Sequence, residues 1–107
     1  MNIEKTKAQM RKGVLELCIL SILGDNEAYA SDIILKMKEA ELIVVEGTLY
    51  PILTRLKNEG LLEYRWEESK SGPPRKYYKL TQLGESTSGD LKNSWNQLVK
   101  SIRKIIK

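Results

Sequence analysis

The sequence of 107 residues contains no histidine and a single cysteine, Cys18. Without histidine there is no Ser-His-Asp or Cys-His arrangement, no imidazole base titrating near neutral pH, and none of the most frequent zinc ligand. No convergent set of titratable groups takes its place, so the sequence predicts neither an enzyme nor a metal protein and calls for no cofactor. One cysteine cannot close a disulfide within the chain, which suits a reducing compartment. It lies in the run VLELCILSIL (14–23) and reads as a small buried hydrophobe. That run is too short to span a bilayer and Glu16 interrupts it, while the preceding MNIEKTKAQMRKG lacks a signal-peptide cleavage site. The expectation is a soluble, cytoplasmic protein with no membrane partner. Internal repeats, low-complexity tracts and long linkers are also missing.

What is present describes one globular domain, with 41% hydrophobic and 30% charged residues. The formal net charge of +4, from 18 Lys and Arg against 14 Asp and Glu, is compatible with nucleic acid or an anionic membrane and decides neither. A chain this short leaves much of its apolar surface uncovered when it folds alone. Any helix with apolar residues beyond the one core therefore needs a partner.

Periodicity supplies the elements. From about Glu4 to Leu23 the pattern of Met10, Val14, Leu17 and Cys18, then nearly every residue, predicts one helix that Gly24 stops. Gly13 lies inside it at a cost of up to about 1 kcal/mol relative to Ala. A second short helix follows Ser31 and Asp32, with Ile33, Ile34, Met37 and Ala40 as its stripe. In TLYPILTRLKNEG, Leu49, Leu53 and Leu56 recur at i, i+4, i+7 and predict a third helix that starts near Glu46 and ends at Gly60. Pro51 opposes that start, but a proline near the first turn removes little, because the early amides lack partners in any case.

In LLEYRWE, Leu62, Tyr64 and Trp66 alternate with charged residues, and in RKYYKL, Tyr78 and Leu80 share a face opposite Tyr77 and Lys79. Two half-buried strands are expected, joined by ESKSGPP as a projecting loop too long for a two-residue turn. Thr81 caps a last helix, interrupted by Ser and Gly near 86–89. Beyond it Leu91, Trp95, Leu98, Ile102 and Ile105 keep helical spacing among lysines and arginines. They cannot all cover a core already closed by three helices and a hairpin, so they are the expected dimer interface.

Three helices followed by a hairpin is the order of a winged helix-turn-helix, in which the third helix enters the major groove and the hairpin lies along the backbone. The fold class expected is mainly α with a small β component, a winged helix-turn-helix over residues 1–83 and a C-terminal dimerisation helix over 84–107. A loop stiffened by Pro73 and Pro74 loses less entropy on docking, and Arg75 and Lys76 can meet phosphates. A charge run alone more often faces water. Here it follows a candidate recognition helix after one strand, which favours double-stranded DNA as the partner.

GTLYPILTRLKNEGLL (47–62) followed by GPPRKYYKLTQLG (72–84), with YASDIILKMKEA (29–40) as the second helix, closely resembles the signature of PadR-family transcriptional regulators. The single C-terminal helix is similar to the family's short branch. The resemblance implies a homodimer on a near-palindromic operator, usually repression, and in some members relief by a small planar aromatic ligand. By position it places DNA-facing groups at Thr48, Tyr50 and Arg55 on the recognition helix and at Arg75 and Lys76 on the wing. Pro73 and Pro74 stand where members often have a second Gly and an Arg, and Val45 where a polar cap is common. In the ligand-sensing branch a tryptophan of the C-terminal helix faces its symmetry mate across a pore, and Trp95 matches it. Glu16, Leu17 and Ser21 then match the other walls, and Val99 replaces an acidic residue. The competing reading, a helical dimer that docks another protein, needs the same last helix but no basic wing.

Overall fold

The six side chains Ile19, Leu20, Ile33, Leu49, Leu53 and Leu56 are all but inaccessible to solvent and mark the centre of the only large apolar cluster. A computed structural model describes all of residues 1–107. Its elements are α1 (Ile3–Lys12), α2 (Leu15–Asp25), α3 (Ala30–Glu39), α4 (Glu46–Asn58), β1 (Leu62–Ser69), β2 (Gly72–Leu80) and α5 (Gln82–Ile106). The core is built by α2, α3 and α4, and Leu61, Leu62 and Tyr78 close it from the hairpin side. This is a winged helix-turn-helix with an added C-terminal helix, as the order of elements predicted.

The single first helix is in fact two. Gly13 ends α1, and Val14, at φ −117° and ψ 0°, starts α2 outside helical geometry. Glycine and a β-branched residue in succession are poor helix formers, and α1 buries no residue that could hold the two segments in line. Gly24 does not stop α2, which runs one residue further. Pro51 lies inside α4, and the helix does start at Glu46. The amide that Pro51 lacks would have reached Gly47, which is exposed, so the unpaired carbonyl has water available.

The C-terminal ends of α3 and α4 are fixed by backbone geometry. Gly60, at φ +81°, donates to the Lys57 carbonyl at 3.0 Å while Leu61 donates to that of Leu56 at 3.0 Å. That reciprocal pair is a Schellman closure, with two buried leucines as its apolar contact. The same closure ends α3 without a glycine, since Glu41 has φ +64° and Leu42 donates to Met37 at 2.8 Å.

The hairpin pairs Leu62 with Leu80, Tyr64 with Tyr78 and Trp66 with Lys76 in antiparallel register. Its connection is tighter than the sequence suggested, with only Lys70 and Ser71 between the strands. Pro73 and Pro74 belong to β2. Glu67 faces Arg75 and Ser69 faces Gly72, so two steps on β1 match three on β2, and the prolines occupy that bulge. Proline is tolerated at such a place because the ladder there asks for no amide. A short third partner was not anticipated: Ala28 and Tyr78 exchange backbone hydrogen bonds of 3.0 and 2.8 Å. This anchors the segment before α3 to the wing.

The last helix is continuous for 25 residues, against the expected interruption near 86–89. Gly84 and Ser88 are buried, one turn apart. The small size of Gly84 serves close packing of α5 on Leu61, at the junction of α4 and β1, and on Leu80. Thr81 caps the helix as predicted: it accepts from the Gly84 amide at 3.0 Å and donates to the Gly60 carbonyl at 2.6 Å.

Candidate nucleic-acid interface

The exposed side of α4 carries Thr48, Tyr50, Thr54 and Arg55. Its other side, with Leu49, Leu53 and Leu56, is held in the core. Tyr50, Thr54 and Arg55 border one shallow concavity with Pro51, Asn58 and Glu59. Thr48 faces a different recess near the helix start, shared with Arg11 and Lys12 of α1 and with the loop Leu42–Val45. Val45 caps α4 with no side-chain hydrogen bond, as its apolar character implies. Arg55 is ion-paired with Glu16 of α2, and both side chains remain about half exposed.

Arg75 and Lys76 are neighbours on a strand and so leave it on opposite sides. The Arg75 guanidinium lies 4.0 Å from the Tyr29 ring centre and reaches Ser31 Oγ at 3.5 Å. The Lys76 ammonium lies 4.5 Å from the Tyr64 ring centre and 5.5 Å from that of Trp66. Both nevertheless line one cleft of about 400 Å³ between the wing, the start of α3 and α4, with Tyr29, Ser31, Glu46, Tyr50 and Trp66 among its walls. The structure therefore brings Tyr50, Arg75 and Lys76 together at one cleft and Tyr50 and Arg55 at the next, and leaves Thr48 apart from both.

Tyr29, Ser31 and Trp66 were not among the residues singled out from the sequence. Alternation placed Trp66 on a half-buried face with Leu62 and Tyr64, yet it is 62% exposed. The hairpin runs past the end of the core, and alternation says which face a residue takes but not how far the core extends. No signal pointed to Tyr29 or Ser31, because their place at the cleft depends on the Ala28 bridge to β2.

On the other side of the molecule α2 and α5 pack against each other. Leu17 and Ser21 on α2 and Val99 on α5 are half-buried, and Trp95 is 42% exposed. Glu16, next to Leu17 in the chain, is ion-paired with Arg55 of α4. Leu91 is partly covered by the core, whereas Leu98, Ile102 and Ile105 are open to solvent. Cys18 is half-buried beside the core, and burial pushes its thiol pKa up. No helix is long and apolar enough to cross a membrane.

Residues 19–90 match the model of the transcriptional regulator PadR-like family. The chain belongs to this family. A PadR-like transcription factor of Bacteroides fragilis is 62% identical, with 94% of this chain and 98% of that one covered and a TM-score of 0.80. A PadR family transcriptional regulator of Eggerthella lenta is 28% identical over 98% and 92% of the two chains, with a TM-score of 0.90. A PadR-like transcriptional regulator of Bacillus cereus is 37% identical over 92% and 97%, with a TM-score of 0.81. Membership in PadR makes the chain a transcriptional regulator of the winged-helix DNA-binding kind and not an enzyme.

Proposed function

We propose that this PadR-family regulator binds double-stranded DNA as a homodimer on a near-palindromic operator and represses the genes behind it. The observation that carries the reading is the convergence of Tyr50 on α4 with Arg75 and Lys76 of the wing at one cleft. Thr48 and Tyr50 then face base edges, Arg75 and Lys76 take phosphates, and Arg55 joins them on release from Glu16. In this reading residues 1–83 contact DNA and residues 84–107 hold the two protomers together. Charge reversal of Arg75 and Lys76 weakens operator and random duplex alike and lowers the salt slope by about 2, one counterion for each phosphate contact. Tyr50→Ala instead weakens the operator more than random duplex. Binding isotherms at several salt concentrations, on fragments selected from genomic DNA, read both effects. Operator affinity within twofold of the unmodified protein in both variants overturns the docking model.

A second reading concerns relief of repression. Trp95 is large, aromatic and 42% exposed in the single chain, in the middle of the apolar stripe of α5. With Leu17, Ser21 and Val99 it forms one wall of a slot for a small planar aromatic molecule, completed by the second protomer. Bound ligand shifts DNA affinity by the difference in its own affinity for the two dimer shapes. Titration of planar dyes against tryptophan emission, in the native chain and in Trp95→Ala, tests the slot. Quenching that persists unchanged in the variant removes it.

A further inference from the structure

Trp66 is the most exposed aromatic residue of the wing, on a strand whose neighbours are mostly charged. Its indole is held from one side by Tyr64, edge-on at 5.9 Å between ring centres, and the Lys76 ammonium sits 5.5 Å from it. Across the same cleft stands Tyr50, 46% exposed. An apolar plate beside a cation fits a partner that alternates apolar and anionic units.

The charges around the cleft narrow that partner further. Arg75 and Lys76 line it against one carboxylate, Glu46. Of the hairpin's own carboxylates, Glu67 is paired with Arg65 and Glu63 with Lys79 at 3.1 Å, while Glu68 is exposed and does not line the cleft. The recess therefore presents net positive charge next to exposed aromatic surface, which is complementary to a sugar-phosphate chain.

We propose that this cleft seats a segment of DNA backbone, with a deoxyribose against the indole of Trp66 and the adjoining phosphate on Lys76. The inference rests on the DNA-binding reading above and adds to it a residue that contributes affinity without charge and without reading sequence. Burying on the order of 50 Å² of indole and sugar corresponds to about tenfold in affinity.

The test uses the full chain, a mixed-sequence duplex and a selected genomic fragment. Trp66→Ala lowers affinity for both duplexes by about tenfold and leaves the salt slope unchanged, whereas Lys76→Gln lowers the slope by about 1. A melting curve confirms that Trp66→Ala keeps its fold. In Trp95→Phe the only indole is Trp66, and saturating duplex protects it from acrylamide quenching. Duplex that binds with Trp66 still fully quenchable, or Trp66→Ala within twofold of the unmodified chain, overturns the cleft while DNA binding stands. Failure of the unmodified chain to bind either duplex overturns DNA binding itself, and the cleft with it.

Discussion

Arg55 is paired with Glu16 of α2, yet the same guanidinium is required at the DNA if the whole exposed side of α4 is used. A half-exposed pair of this kind is worth up to about 1 kcal/mol, so either partner gives way at small cost. On the proposed docking, Glu16 would compete with phosphate for Arg55. Glu16→Gln is expected to leave the melting temperature almost unchanged and to raise affinity for random duplex by up to about fivefold. A clear loss of stability with no change at the DNA would make the pair a strut between α2 and α4. Tyr78 poses a different question, of pH. Burial pushes its pKa above 10.0, with smaller contributions from Tyr50 and Tyr64. The folded state thus favours the neutral phenol more than the unfolded state does. Its contribution is full below the unfolded pKa of about 10 and is lost as pH rises through the higher folded value. Alkaline unfolding followed by circular dichroism should show a shallower loss in Tyr78→Phe.

At the scale of elements the informative positions are the ends and the close approaches. Glu41 holds a left-handed conformation at the end of α3 that the geometry of the closure requires and that a side chain resists. Glu41→Gly should therefore raise stability by up to about 1 kcal/mol in chemical denaturation, the opposite of the usual effect of glycine. Gly84→Ala should do the reverse. A Cβ there strikes the Leu61 carbonyl oxygen and comes within 3.3 Å of Leu80, so α5 must lift from the hairpin base at a cost of roughly 1–3 kcal/mol. The elements themselves were legible because α3, α4 and the two strands carry periodic apolar faces over a single core. The end of α3 was not, since a left-handed glutamate leaves no mark in the sequence. Gly13 and Gly89 show why one residue type misleads: the first ends a helix that buries no residue, and the second lies in a helix that runs straight through it. Arg75 and Lys76 were legible from the charge of the wing and Tyr50 from the resemblance, while Trp66 and Ser31 required the third dimension. The wing's tight turn was missed because two prolines read as loop when they occupy a bulge.

At the scale of the whole molecule the chain is elongated, 52 by 32 by 22 Å, and α5 alone is about 37 Å long at 1.5 Å per residue. Past Ser88 its only core contact is through Leu91, and Leu98, Ile102 and Ile105 stand on one side at spacings of four and three. A stripe of that spacing is suited to a second helix of the same kind, and lysines and arginines along the remaining positions keep the rest of α5 in water. On the proposed dimer, two α4 helices held about 34 Å apart would read half-sites one helical turn apart, and the contact that covers the stripe would set that spacing. Leu98→Asp with Ile102→Asp places charge in that contact without touching the core, whose buried residues run from Leu15 to Tyr78. The doubly substituted chain should keep its far-ultraviolet dichroism, sediment as a monomer where the unmodified chain sediments as a dimer, and bind the operator at least about a hundredfold more weakly, because the second half-site no longer benefits from millimolar effective concentration. Affinity for a single half-site should change little. A variant that remains dimeric places the interface elsewhere, on α1 or the Leu42–Val45 loop, whereas a monomer with undiminished operator affinity would separate DNA recognition from dimer spacing altogether.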